Sequence, residues 1–199
     1  MTISTTDSPR TQRIRRAAGF VQRVRNLKTY RRGEYVALKR NAGNTIAESR
    51  GCMAIFELLN RDAPARDEEI YFLVATLIGH NELPATGNMG DSMRRLYPPA
   101  KPTEPIGGGE KRLLILLDSR FDQDFGKPAG GEMAFRLRTL IRLLSTKGVG
   151  VNFAELLVDL CDWDEEDRRV QKRWAYNYYG QTTVSEQTAT EEVAEPAQS

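Results

Sequence analysis

Few side chains in this sequence are suited to catalysis. The single histidine, His80, stands between Gly79 and Asn81 at a predicted helix end, where a C-terminal capping role is favoured over that of a general base. The carboxylates of residues 164–167 precede a predicted helix, so the helix dipole explains them better than a two-metal nuclease centre does. The segment IGGGEKR (106–112) lacks the spacing of a phosphate-binding P-loop and follows no predicted strand. We therefore predict no catalytic residue, no metal ligand and no cofactor.

The two cysteines also give no sign of a chemical site. Cys52 and Cys161 each lie in an apolar helical pattern, CMAIFELL and LVDLCDW respectively. Solitary cysteines in such surroundings favour buried, reduced thiols over a disulfide or a metal site.

Basic and aromatic side chains are better placed for binding than for catalysis. Near the C-terminal end of the helical sequence, Arg168, Arg169 and Lys172 alternate with Tyr176 and Tyr179. Cations that neutralise phosphates and rings that stack on bases are what sequence-independent binding of a nucleic-acid strand requires. The two tyrosines are equally compatible with half-buried positions at the edge of a helical bundle.

The net charge of +2 hides an uneven distribution of charge along the chain. Residues 1–180 contain all 29 basic residues and 23 acidic ones, for a net charge of +6, and the first fifty residues alone carry +9. An arginine-rich face on one helix is usually a solvated surface, but basic faces here recur on several helices. The pattern favours a polyanionic partner.

Three successive helical patterns between Ala134 and Gly180 organise the chain. In the first, an apolar stripe runs through Leu137 and Leu140 to Leu144, and Arg138 and Arg142 lie on the opposite face with Arg136 at its edge. The second begins at an Asn152 N-cap, and the third follows Trp163 and ends at Gly180. We expect Leu140 to be buried and Arg138 to be exposed.

Helical patterns with clear ends also precede this region, and strand signals are absent. The segment 98–109, with four prolines and three consecutive glycines, predicts a linker. We predict an all-α fold, with a disordered N-terminus over 1–10, an N-terminal helical domain over 11–97, that linker, a C-terminal four-helix bundle over 110–180 and a disordered acidic tail over 181–199. The chain has no run of about 18 apolar residues and no secretory signal, so we expect a cytoplasmic protein without a membrane span.

Several segments of the sequence resemble one known family. The segments FRLRTLIRLL (135–144), VNFAELLVDLCDWD (151–164) and DRRVQKRWAYNYYG (167–180) are similar to the C-terminal half of the CasB family, the small subunit of the type I-E CRISPR surveillance complex Cascade. The segments GNMGDSMRRL (87–96) and GEKRLLILLDSR (109–120) match its middle in order, and RGEYVALKRNAG (32–43) matches its first helices more loosely. The resemblance covers most of residues 20–180.

The resemblance implies a small, all-helical, non-catalytic protein that lies as a dimer within a ribonucleoprotein. Its implied partners are guide RNA, the displaced strand of target DNA, the large and backbone subunits of Cascade and a second copy of itself. The basic residues at matching positions are the implied nucleic-acid contacts: Lys39, Arg40, Arg94, Arg95, Lys111, Arg112, Arg120, Arg136, Arg138, Arg142, Arg168, Arg169, Lys172 and Arg173. The loops at 98–109 and 121–131 are longer than the family pattern, and the arginines before Phe20 match no part of it.

Two other functions remain open on the sequence alone. The basic faces would also suit a structural adaptor that binds acidic protein surfaces without touching nucleic acid. A nuclease is a third hypothesis, and it would require divalent-metal-dependent cleavage of the strand.

Overall fold

The computed structural model describes residues 8–101, 103–121 and 131–180 of the chain. Within these ranges the protein consists of nine α-helices and one 3-10 turn at Ala65–Asp67, without a strand, which confirms the predicted all-α class. The helices are α1 (Pro9–Tyr30), α2 (Arg32–Arg40), α3 (Met53–Asp62), α4 (Glu68–Ile78), α5 (Met89–Leu96), α6 (Gly108–Leu117), α7 (Gly131–Thr146), α8 (Phe153–Cys161) and α9 (Arg169–Tyr179). The predicted acidic tail, most of the 121–131 loop and residues 1–7 lie outside the described residues.

Helix α1 begins at Pro9, two residues before the start that its apolar pattern predicts. The hydroxyl of Ser8 accepts a hydrogen bond from the backbone N–H of Thr11, and proline suits the first helical position because it has no N–H to leave unpaired. The apolar stripe of α1, from Ala17 to Leu27, is buried as its spacing predicts.

The three C-terminal helices bury the stripes that the sequence predicts. Leu140 of α7, Leu157 of α8 and Trp174 of α9 are at most 8% exposed. Asn152 caps α8 by accepting from the backbone N–H of Glu155, and Gly180 ends α9 in the left-handed conformation. Helix type and buried face therefore follow from local sequence in this region.

The contacts of these helices do not confirm the predicted C-terminal bundle. The extensive contacts of α8 are with α1 and α4, and those of α9 are with α5, all across the proline-rich segment 98–109. Helices α6 and α7 do contact each other, but the buried side chains of both halves form one continuous cluster. A four-helix bundle of α6–α9 is not confirmed.

Asp159 holds three helices together at the centre of this contact. Its side chain is fully buried, and it accepts hydrogen bonds from Arg10 of α1 (2.8 Å) and from Arg173 and the indole of Trp174 (2.6 Å) in α9. Charge-assisted hydrogen bonds of this kind offset the free energy lost when a carboxylate leaves water. Asp159 is thus a structural link between α1, α8 and α9.

Helix α9 approaches α5 so closely that one position in α5 must be glycine. A Cβ atom at Gly90 would collide with the carbonyl oxygen of Trp174. The amide of Asn177 donates to Asp91 (2.8 Å) beside this contact, and Ser92 donates to the carbonyl of Gly150 (2.9 Å). These bonds fix α5 between α9 and the turn before α8.

Two side chains are more exposed than their apolar surroundings in the sequence suggest. Leu114 of α6 is 47% exposed, whereas its neighbours Leu113, Leu116 and Leu117 are buried. Cys52 is buried as predicted, whereas Cys161 is partly exposed. Burial nevertheless raises the pKa of Cys161 to about 12, which is typical of an unreactive thiol. None of the described helices is long and apolar enough to cross a bilayer.

Candidate nucleic-acid interface

Several of the predicted basic contacts are already engaged inside the protein. Arg173 pairs with the buried Asp159, and its side chain is only 23% exposed. Arg168 donates to the carbonyl of Leu117 (2.9 Å) and to Asp118 (3.2 Å), which ties the start of α9 to the end of α6. These two arginines act mainly in holding helices together.

Arg138 is the clearest departure from the predicted pattern of exposure in α7. Its guanidinium donates to the carbonyl of Ala42 (2.9 Å) in the loop after α2 and lies 5.5 Å from the centre of the Phe135 ring. The side chain is therefore half-buried. Arg136, on the same helix, pairs with Glu132 one turn earlier and is one-third exposed. The prediction that Arg138 is exposed was wrong. The loop after α2 covers part of this side chain, and the sequence of α7 alone gives no information about that contact.

Arginines of α1 also have partners, including Arg10 and Arg13, which lie before Phe20 and match no part of the family pattern. Arg10 lies 2.5 Å from Glu155 of α8, and Arg13 lies 2.7 Å from Asp162, the residue that follows this helix. Arg23 pairs with Asp62 at the end of α3 (2.6 Å). Arg10, Arg13 and Arg23 supply three of the positive charges among the first fifty residues, and all three are paired within the protein.

One group of cations is brought together from distant parts of the chain. Lys39 at the end of α2 and Arg138 and Arg142 of α7 surround His80, which follows α4. His80 Nε2 lies 3.0 Å from the carbonyl oxygen of Lys39, and Arg142 Nε donates to His80 Nδ1 at 3.3 Å. We call Lys39, His80, Arg138 and Arg142 the junction cluster. The predicted role of His80 as the cap of its own helix needs correction, because its ring bonds a terminal carbonyl of α2.

A second basic surface runs along α9. Arg169, Lys172, Tyr176 and Tyr179 share one side of the helix by their spacing, and the two tyrosines are 44% and 52% exposed. About half of each tyrosine is covered, and Tyr179 packs edge-on against the buried Tyr178, so both the stacking role and the bundle-edge position are compatible with these rings. Arg169 pairs with Glu165 one turn earlier, whereas Lys172 has no partner in the described part of the chain. We call these four residues the α9 face.

The remaining predicted contacts are exposed but spread over separate surfaces. Arg94 lies against Gly180 at the end of α9, and Arg95 donates to the carbonyl of Thr86 (3.2 Å). Arg112 borders a groove between α6 and α7 that also exposes Ile115 and Phe135. Lys111 and Arg40 are exposed to solvent.

Arg120 faces carboxylates, an environment that the sequence does not reveal. It lines a cavity of about 730 Å³ together with Asp164, Glu165 and Glu166. Burial raises the pKa of Asp164, and the positive charge of Arg120 acts in the opposite direction. The described residues contain no group of three or more His, Cys, Asp or Glu side chains that could hold a metal ion.

Comparison with known proteins places this arrangement of helices in a family. The family model for CRISPR-associated protein Cse2 matches residues 34–179, which is well over half of the chain. The chain belongs to the Cse2 family. The match contains all fourteen predicted basic contacts and both basic surfaces, whereas Arg10, Arg13 and Arg23 of α1 precede it.

Relatives of known sequence and structure agree with membership of the Cse2 family. The CRISPR-associated protein Cse2 of Thermus thermophilus is 33% identical over 135 residues, which are 67% of this chain and 70% of that protein. The crystal structure of CasB from T. thermophilus superposes with a TM-score of 0.63 at 26% identity and covers 87% of this chain and 99% of its own. A chain of a CRISPR RNA-guided surveillance complex has the same fold, with a TM-score of 0.63 at 20% identity. This superposition covers 84% of the present chain and 93% of that chain.

Proposed function

We propose that this Cse2-family chain is the small subunit of a type I-E Cascade complex, where it binds nucleic acid without catalysing a reaction. Membership of the family supports the assignment, and the likeness in fold to a chain of an RNA-guided surveillance complex agrees with it. The subunit stabilises the R-loop by holding the displaced non-target strand and the path of the guide RNA and target DNA. Its other partners are the large and backbone subunits and a second copy of itself, in the cytoplasm.

The observation that carries this proposal is the junction cluster. Folding brings Lys39 and Arg142 to the same site although they are about a hundred residues apart in sequence. Like charges repel each other, so this arrangement lowers the stability of the free protein. Within the described residues neither Nη group of Arg142 has a protein partner, so a phosphate can accept from both. A bound backbone phosphate would offset the repulsion between these cations.

The α9 face supplies the complementary kind of contact. Exposed aromatic rings stack on bases of any sequence, and each stacked base contributes about 1–3 kcal/mol. Tyr176 and Tyr179 are the exposed rings here, with Lys172 beside them for a phosphate. A subunit that binds nucleic acid of any sequence needs only phosphate contacts and rings that stack on bases, because base pairing with the guide supplies specificity.

The test measures binding of a fluorescent single-stranded oligonucleotide at several salt concentrations. Lys39→Ala combined with Arg142→Ala should reduce the slope of log affinity against log salt by about 0.7 for each phosphate that is no longer neutralised, equally for unrelated base sequences. The matched control is Arg16→Ala with Arg66→Ala, which removes the same charge from two exposed positions outside the predicted contacts. Equal weakening of binding in both variants would mean that only total charge matters.

The same experiment separates the other functions. A structural adaptor for acidic proteins would show no oligonucleotide binding in the concentration range where it joins the complex. A nuclease would shorten the oligonucleotide when a divalent metal is added, and we expect the strand to remain intact. In a reconstituted complex at matched occupancy of the small subunit, the Lys39/Arg142 variant should shorten the R-loop lifetime, since strand exchange is nearly balanced and modest backbone contacts shift it.

A further inference from the structure

His80 is joined to both sides of the junction cluster by hydrogen bonds. The Nε–H of arginine is always a donor, so His80 Nδ1, 3.3 Å away, must be the acceptor. The ring proton of the neutral imidazole then lies on Nε2 and is donated to the carbonyl of Lys39 at 3.0 Å. In this state His80 orients the Arg142 guanidinium by its inner nitrogen and leaves the outer edge of that group free.

The charges around His80 come from three elements. Burial lowers the pKa of His80, the hydrogen bond to the Lys39 carbonyl opposes this, and the positive charges of Arg142, Lys39 and Arg138 lower the pKa further. The nearby carboxylate, Glu82, borders the same surface depression but is paired with Lys28 of α1 and accepts from Tyr35 at 3.0 Å. The imidazole is therefore neutral at pH 7 and is surrounded by more positive than negative charge.

We infer that His80 forms part of a phosphate subsite in the junction cluster, where it positions Arg142 when neutral and takes up a proton when a nucleic-acid phosphate binds. The inference rests on the proposed function, since it specifies how that surface meets a strand. No sequence pattern singles out His80 for this role. His80 is identified by its position, because its ring lies between the last turn of α2 and the guanidinium group of Arg142 in α7.

The proton uptake follows from charge balance at the site. A phosphate bound to Arg142 and Lys39 brings negative charge close to the imidazole and cancels part of the repulsion that disfavours its protonation. Once protonated, His80 no longer accepts a hydrogen bond from Arg142 Nε. Its Nδ1–H is then a donor and can form a hydrogen bond to a phosphate oxygen. Binding and protonation then favour each other, by the same factor in either direction.

The size of the effect is set by the change in the pKa of His80 on binding. If binding raises that pKa by one unit, affinity for the strand is up to about tenfold higher well below pH 6 than well above pH 8. Neutral glutamine can accept from Arg142 and donate to the Lys39 carbonyl but cannot take up a proton. His80→Gln should therefore lack the increase in strand affinity at low pH.

The experiment uses the full chain and a fluorescent oligothymidylate. Because the sequence contains one histidine, a single imidazole Cε1–H signal in the NMR spectrum reports the pKa of His80 with and without the strand. We expect the pKa to rise on binding in the wild type and to rise less in Arg142→Ala. Strand affinity, measured by anisotropy, should increase from pH 7.5 to pH 6.0 more steeply for the wild type than for His80→Gln. Thermal melting of each variant checks that it is folded.

The outcomes separate this inference from the function on which it rests. Strand binding with an unchanged His80 pKa, or with the same pH dependence in His80→Gln, overturns the inference and leaves nucleic-acid binding in place. A rise in pKa that persists undiminished in Arg142→Ala overturns the pairing of His80 with Arg142. Absence of strand binding at both pH values overturns the proposed function and the inference together.

Discussion

Arg173 and Lys172 are neighbours with opposite expected roles, and replacing each with alanine separates them. Arg173→Ala removes one of the two guanidinium groups that contact the fully buried Asp159. Removing one partner of a buried ion pair costs about 3–5 kcal/mol when the remaining charge is left alone. Here Arg10 and the Trp174 indole still donate to the carboxylate, so we expect a smaller decrease of about 2–3 kcal/mol in the free energy of unfolding.

The assay is urea and thermal unfolding followed by circular dichroism. A decrease of that size lowers the melting temperature by about 5–10 °C in a chain of this length. Lys172→Ala is the matched control, because the side chain is adjacent and exposed and has no partner in the described residues. It should change stability by about 0.5 kcal/mol or less, yet weaken binding of a single strand.

A second substitution tests the cause of the destabilisation. Asp159→Asn keeps the shape of the side chain and removes its charge, so Arg173→Ala in that background no longer leaves a buried carboxylate short of a partner. The destabilisation caused by Arg173→Ala should then be smaller by about 1 kcal/mol or more. An equal effect in both backgrounds, or melting of Arg173→Ala at the same temperature as Lys172→Ala, would refute the assignment of Arg173 to the fold.

Three further predictions concern the core, the tail and pH. Leu140→Ala should cost about 2–5 kcal/mol in unfolding experiments, whereas the exposed Arg120→Ala should cost about 0.5 kcal/mol or less, and similar values would show that Leu140 does not belong to the core. Deletion of residues 181–199 removes four negative charges and should leave the melting temperature unchanged while strand affinity stays level or rises; failure to assemble with the complex would identify the tail as a docking segment. The pKa of His80 is lowered in the folded state, so the unfolded state binds more protons and stability should fall as the pH drops below about 6.5, a slope that His80→Gln should lack.

Local periodicity predicted which face of most helices is buried. Val170, Trp174 and Tyr178 recur at helical spacing, and all three are buried in α9. The N-cap at Asn152 and the C-cap at Gly180 were predicted for the same reason, since each depends only on residues within one turn. The exposure of Leu114 does not follow from local periodicity, because α6 is apolar on more than one side and its sequence does not single out a buried stripe.

The role of each basic residue depends on parts of the chain that local sequence does not show. Arg138 and Arg142 have the same spacing and chemistry in α7, yet one donates to a carbonyl of the α2 loop and the other leaves its outer edge free. Arg173 resembles Lys172 in sequence but faces a carboxylate of α8. The sequence therefore predicted that several helices carry basic faces. Only the packing of the helices shows which of these basic side chains are free to bind a strand.

The contact between α1 and α8 has a consequence for the order in which the protein folds during synthesis. Arg10 pairs with a residue 145 positions later, and α1 makes extensive contacts with the helix that holds this residue. At the rate of translation, the ribosome needs on the order of ten seconds or more to add that much chain, so α1 emerges long before its partner exists. During this interval the side of α1 that contacts α8 in the folded protein is uncovered, and a nascent chain of this protein should be a substrate for chaperones until α8 leaves the exit tunnel.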